Sequence, residues 1–165
     1  MRRVVTGRKD GKSVVLEDKE IALQGSLDYL SAGLWKTEGI PTVPLQEKDI
    51  QQFAALQFPK PGETTISMYV IPPDKEYFKK AKTVGVDLEG NWRKIFGDDY
   101  GMHKTDTVDY GIVLSGEMWM ELDDHADVHL KAGDCVIQNG ARHGWRNKGT
   151  QNCVMVFILI GANRK

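Results

Sequence analysis

From Asp109 to Ile160 the chain is a series of short apolar runs, each closed by a glycine or an Asp/Asn turn, and none is long enough for a substantial helix. Within the runs the residues alternate, as strand side chains do. Asp109, Gly111 and Val113 share one face, and Met118, Met120 and Leu122 oppose Glu117, Trp119 and Glu121. Ile112 to Leu114 leads into a Ser115-Gly116 turn, which predicts a hairpin with Glu117 to Leu122. Val128 to Leu130 and Cys135 to Gln138 read as further strands. Val154 to Ile160 is apolar on both faces, as expected of a strand enclosed by two sheets.

The first half has the same grain. Arg2 to Gly7 and Lys12 to Leu16 read as two strands joined at Asp10-Gly11. Residues 21 to 46 read as short strands and irregular connections, with Trp35 as a core plug. Ile50, Phe53 and Ala54 have helical spacing, so Glu47 to Leu56 is a short helix or a surface loop. Glu63 to Pro72 alternates and ends at Pro72-Pro73. Asp74 is then a candidate N-cap for a helix carrying Tyr77, Ala81 and Val84, with a second helical turn predicted around Trp92. At least eight short strands with little helix argue for an all-β barrel or sandwich. One domain is expected over residues 1–165, with a strand arm at about 1–46 and a barrel core at about 63–161. A helical or loop insertion at about 74–100 is long for a barrel connection, and Tyr77, Phe78 or Trp92 is a candidate cover for a pocket mouth.

Two spacings single out a centre. Gly97 is followed at intervals by His103, Asp109 and Gly116; Gly140 is followed by His143 and Asn147. These residues resemble the two motifs of the cupin superfamily, G-x5-H-x-H-x3 or 4-E-x6-G and G-x5-P-x-G-x2-H-x3-N. The resemblance implies a single-domain cupin jelly-roll β-barrel with a short helical insertion before the first motif. It also implies that the motif histidines and carboxylate commonly bind a metal, and that the N-terminal arm packs on a neighbouring subunit in a homodimer. Three departures stand out: Thr105 replaces the second histidine, Asp109 replaces Glu, and the second motif is one residue short before Gln138, where proline is usual.

Inward faces of a barrel close on one cavity. The candidate catalytic residues are therefore His103, Asp109 and His143, which are also the candidate ligands of a divalent metal (Fe, Zn, Mn or Ni). Two imidazoles and a carboxylate suit such an ion with open positions; without metal the same groups suit acid–base chemistry. Thr105, Met118, Met120, Trp145 and Met155 are read as pocket wall, with Tyr110 a lesser candidate acid. His129 is read as outward and structural, and His125 as solvated.

The expected substrate is a small, partly apolar organic acid or ketone. The expected reaction is lyase- or isomerase-like: dehydration, isomerisation or decarboxylation through an enolate. An iron-dependent dioxygenase and a non-catalytic ligand-binding module are the alternatives. The 22 basic and 23 acidic residues nearly balance, which argues against a nucleic-acid or polybasic membrane surface. Glycine-rich phosphate loops are absent, so no nucleotide cofactor is expected. The basic cluster Arg2, Arg3, Arg8 and Lys9 is followed by no apolar run, so neither a leader peptide nor a spanning segment is expected. Cys135 and Cys153 read as core residues of a reducing, cytoplasmic compartment.

Overall fold

The computed structural model describes residues 1–51, 54–55, 57–88 and 101–165. Among them are eleven strands and one α-helix. The chain begins with β1 (Arg2–Lys9) and β2 (Lys12–Glu20), which pair antiparallel around Asp10 and Gly11. Both turn residues have positive φ, 52° and 75°, as a tight hairpin turn demands. Next come β3 (Gln24–Ser26), β4 (Tyr29–Thr37), β5 (Thr64–Ile71) and helix α1 (Asp74–Thr83). The remaining strands are β6 (Thr107–Ser115), β7 (Glu117–Glu121), β8 (Asp127–Lys131), β9 (Cys135–Asn139), β10 (Gly144–Arg146) and β11 (Cys153–Gly161).

Three sheets result: a six-stranded sheet in the order β3-β4-β5-β11-β6-β9, a three-stranded sheet β10-β7-β8, and the separate β1-β2 hairpin. The fold is the mostly-β jelly roll expected. Its core contains Ile71, Val113, Met118, Met120, Leu130, Cys153 and Met155, drawn from both larger sheets.

The predicted Ile112–Leu122 hairpin does not form as a pair. β6 pairs with β9 and β11, whereas β7 pairs with β8 and β10. Gly116 takes the chain from one sheet to the other at φ 75°. A Cβ there would lie 2.5 Å from the Asn152 carbonyl oxygen and 2.9 Å from the Cys153 Cα, so only glycine makes this crossing.

Several local expectations are revised. Pro73, not Asp74, is the N-cap of α1; Asp74 opens the helix, where its charge suits the positive end of the helix dipole. Residues Glu47–Asp49 of the stretch expected as a short helix or a surface loop form a 3-10 turn; Phe53, Gly97 and Trp92 lie outside the described residues. Trp35 is half-buried on the outside of the sheet, with the Arg3 guanidinium 5.9 Å from its ring centre, and is not part of the core. Cys153 is fully buried, but Cys135 is exposed on the outer face of edge strand β9, and both are free thiols.

The six-stranded sheet has an unusual distribution of polarity. Its inner face towards one end carries buried polar residues: Thr65, Ser67, Thr107, Asp109 and Gln138. Its outer face carries cross-strand rows of apolar residues. Ile66, Ile158, Tyr110 and Ile137 form one row, and Met68, Val156, Ile112 and Cys135 the next. A monomeric sheet packed only on its own core places its apolar residues the other way round. No helix is long and apolar enough to cross a membrane among the described residues.

Candidate functional site

His103 lies in the segment before β6, and His143 immediately before β10. The two residues exchange both backbone hydrogen bonds, each 2.8 Å from N to O, as an isolated antiparallel bridge. That bridge puts both side chains on one side, with ring centres 4.4 Å apart. Gly144 permits the approach: a Cβ at this position would lie 2.8 Å from the Met102 sulfur and 3.2 Å from the Gly101 carbonyl oxygen. Each imidazole is also oriented by its own backbone, His103 Nδ1 lying 3.0 Å from the Gly101 oxygen and His143 Nδ1 3.0 Å from the Ala141 oxygen. Gln138 braces the second ring: its amide nitrogen lies 3.0 Å from His143 Nδ1, and its Oε1 accepts from the Gly140 N–H.

Asp109 enters from β6 on the inner face and is buried, and its Oδ1 has no hydrogen-bond partner among the described residues. Desolvation pushes its carboxyl above the usual carboxylate range, opposed by the neighbouring Thr107 hydroxyl and His103. Desolvation likewise pushes His103 and His143 below the ordinary imidazole value, so both favour the neutral form. Thr105 is buried beside them, and its hydroxyl accepts from the Thr107 hydroxyl at 2.7 Å.

Above these groups opens a cavity of about 130 Å³. This is on the scale of the roughly 150 Å³ void that admits one benzene ring. Its wall is a succession of ring contacts. His143 meets Trp145 edge-on at 5.7 Å, Trp145 meets Phe157 at 5.2 Å, and Phe157 meets Tyr69 at 5.6 Å. Tyr69 meets Tyr29 at 6.3 Å and Tyr29 meets Tyr77 at 5.9 Å, which carries the wall to α1. Burial pushes the Tyr69 hydroxyl up to about 12 and Tyr29 further, so both remain neutral. Tyr69 donates to the Ala55 carbonyl at 3.3 Å, and Ser67 to the same oxygen at 3.0 Å, which pins the 54–55 segment to the inner face.

His103, Asp109, His143, Thr105 and Trp145 therefore all line one cavity, as their spacing implied. Tyr77 and Phe78 line it too, so α1 contributes to the wall. Met118, Met120 and Met155 do not line it: they fill the space between the sheets, below the cavity. The alternation that put them on an inward face was correct, but depth along the barrel separates core from pocket. Tyr110 is 36% exposed on the outer face and is no acid for this cavity. Strand parity already aimed it away from Asp109.

Tyr29, Tyr69, Phe157 and Arg146 were missed. Tyr69 and Phe157 sit on strands read correctly, and only the β5–β11 and β6–β11 registers bring them to the histidines. Arg146 is paired with Glu121 at 2.9 Å. Asn147 is structural: its side-chain nitrogen donates to the Ile71 and Gln151 carbonyls, both at 2.9 Å, and its Oδ1 accepts from the Gly149 N–H at 3.1 Å. The two remaining histidines are peripheral. His129 stacks on Trp119 at 4.1 Å and meets Glu117 at 2.8 Å, and the His125 side chain is 96% exposed.

The donor set fits a divalent transition metal in kind. Two imidazoles have their orientation set through Nδ1, and one buried carboxyl oxygen lacks a partner. No three His, Cys, Asp or Glu side chains among the described residues are gathered into a ready-made cage.

The inward polar residues of the barrel converge on a histidine pair under an aromatic cavity. Residues 97–159 match the model of the Cupin domain family. Phomopsin biosynthesis cluster protein C' of Diaporthe leptostromiformis is 42% identical over 67 residues, covering 40% of this chain and 35% of that protein. The cupin-domain-containing oxidoreductase fogC of Aspergillus ruber is 31% identical over 70 residues, covering 41% of this chain and 34% of that protein. The chain thus spans about a third of the length of the curated relatives it matches. Among solved structures, a Cupin 2 conserved barrel domain protein from Salinispora arenicola aligns over 86% of this chain and 82% of its own, with 17% identity and a TM-score of 0.46.

Proposed function

We propose that this cupin domain is an enzyme that moves a proton on a small, largely apolar carbonyl compound carrying a ring. The observation behind this reading is the pair of backbone-held imidazoles beside a buried carboxyl with an orphaned oxygen, at the foot of an aromatic cavity. The rings of Trp145, Phe157 and Tyr69 accept the apolar body edge-on. The carbonyl end then faces His103, His143 and Asp109. One neutral imidazole takes the proton from the carbon next to the carbonyl. The Asp109 carboxyl donates a hydrogen bond to the oxygen as negative charge develops there, and water is largely excluded. A divalent metal held by His103, His143 and Asp109 would supply Lewis-acid polarisation of that oxygen. Elimination, isomerisation and decarboxylation all share the resulting enolate.

The test is hydrogen exchange in D₂O, with phenylacetone and phenylpyruvate as probes. Wild type is expected to speed deuterium incorporation next to the carbonyl, and His143→Ala to lose about 10²–10⁴-fold of that rate. Exchange that is equally fast in both proteins refutes the assignment.

A second reading is an iron-dependent oxidation of the same kind of compound. It is favoured by the two-imidazole, one-carboxylate donor set and by the relatives named cupin-domain-containing oxidoreductases. Oxygen uptake that requires added ferrous iron, without deuterium exchange, selects it.

A further inference from the structure

We infer that Gln138 is a positioning residue that fixes the tautomer of His143, so that the two imidazoles take opposite parts: His143 donates a hydrogen bond from Nε2–H to the developing oxyanion, and His103 accepts the proton on Nε2. This rests on the proposed proton transfer and assigns the two roles within it.

The orientation of the Gln138 amide follows from one backbone group. The Gly140 N–H can only donate, and it meets the Gln138 side chain at 3.0 Å, so the amide oxygen is the atom on that side. The NH₂ group then faces the other way. Two atoms meet it there, the Ala141 carbonyl oxygen at 2.5 Å and His143 Nδ1 at 3.0 Å. The carbonyl takes one amide hydrogen. For the second, the only acceptor among the described residues is a lone pair on Nδ1. Gln138 is 4% exposed, where a donor left unpaired is costly. The opposite tautomer, with Nδ1–H donating to the Ala141 oxygen 3.0 Å away, gives that oxygen a second donor and strands the amide hydrogen. Neutral His143 therefore carries its proton on Nε2. Proline, usual at this position of the motif, has no side-chain donor and could not make the contact.

The partner of His103 Nδ1 is different in kind. The Gly101 carbonyl oxygen, 3.0 Å away, can only accept, so Nδ1 holds the hydrogen and the lone pair lies on Nε2. With Nδ1 of each ring engaged by its own neighbour, chemistry in the cavity falls to Nε2. The two rings, 4.4 Å apart between centres, thus offer one acceptor and one donor. In enolate formation the C–H proton passes to His103 Nε2, and the C–H electron pair becomes the new C=C bond. The carbonyl π pair moves to oxygen, where His143 Nε2–H holds it beside the Asp109 carboxyl. No oxidant or reductant is consumed. A divalent metal at His143 Nε2 would need the proton moved to Nδ1, against the Gln138 amide.

The test reads the histidine ring nitrogens of the full ¹⁵N-labelled chain by two-bond ¹⁵N–¹H correlation at pH about 8, where the imidazoles are neutral. Wild type is expected to show the unprotonated nitrogen at Nδ1 in His143 and at Nε2 in His103. Gln138→Glu keeps an acceptor for the Gly140 N–H but accepts where the amide donated. It is expected to move the His143 proton to Nδ1, to lower kcat for deuterium exchange of phenylacetone about 10²–10³-fold with little change in KM, and to tighten Co²⁺ binding about 10-fold. A wild-type His143 protonated on Nδ1 overturns the inference, as does a folded Gln138→Glu protein that keeps the wild-type tautomer. Should Gln138→Glu fail to fold, the wild-type spectrum decides alone. That spectrum needs no substrate, so wild type that exchanges no deuterium refutes the proposed reaction, while the tautomer is still read.

Discussion

Asn147 offers the most direct test of how the site is supported. The structure gives its side chain three hydrogen bonds in a buried setting: to the carbonyls of Ile71 and Gln151, and from the Gly149 N–H. Its main chain also exchanges bonds with Asp74 at the head of α1, accepting from the Asp74 N–H at 2.9 Å and donating to Asp74 Oδ1 at 3.2 Å. Asn147→Ala removes all three side-chain bonds and leaves buried polar groups unpaired. At about 1 kcal/mol net per bond, the expected cost is ~3 kcal/mol. In a domain of this size that lowers the melting temperature by about 6–12 °C.

Asn147→Asp is expected to cost at least as much at pH 7. It retains the acceptor for Gly149 but places carboxylate oxygen against two carbonyls. Burial would raise the new carboxyl's folded-state pKa, so its penalty grows as pH rises through that value and shrinks on acidification. Urea unfolding followed by tryptophan fluorescence measures both variants. A loss below about 1 kcal/mol for Asn147→Ala would refute the claim that this residue ties β5 to the final turn.

Three further outcomes follow from the same geometry. Met118→Ala is expected to cost about 2–5 kcal/mol in chemical denaturation, because Met118 is fully buried in the core, while ligand affinity stays unchanged since it does not line the cavity. Gly144→Ala is expected to push the Gly101–His103 segment off His143, reducing deuterium exchange ~100-fold while the sheet signal in circular dichroism persists. His103 and His143 have folded-state values below the unfolded one of about 6.5. Their contribution is thus complete above pH ~6.5 and is lost as pH falls through the folded values. Asp109 is shifted up, so its contribution runs the other way, being lost as pH rises from about 4 through its folded value. Melting temperatures of wild type and His103→Gln/His143→Gln between pH 5 and 8 check this: the double variant is expected to lose less stability on acidification.

Local signals placed the strands and most of the histidine site. Alternation is a property of consecutive residues, so Asp109, Gly111 and Val113 could be put on one face without knowing the partner strand. The spacing carried His103, Asp109 and His143 for a similar reason: Asp109 lies on an alternating strand, and His143 follows a turn whose glycine, Gly140, is visible. Helix α1 was recognisable from Tyr77 and Ala81, although its cap was misplaced by one residue.

What the chain order could not convey is which strands meet and which face of a sheet stays uncovered. Ser115-Gly116 looks like a hairpin turn, yet it passes the chain between sheets, because the crowding that decides it comes from Asn152 and Cys153, more than thirty residues away. The methionines alternate like Trp145, but only tertiary depth separates Met118 in the core from Trp145 in the wall. Tyr69 and Phe157 became the aromatic wall through β5–β11 and β6–β11 pairing, a long-range register that no window of sequence contains. Residue type and period thus determined the elements and the chemistry available. Non-local packing decided the cavity and the open apolar face, because each is defined by atoms brought together from distant parts of the chain.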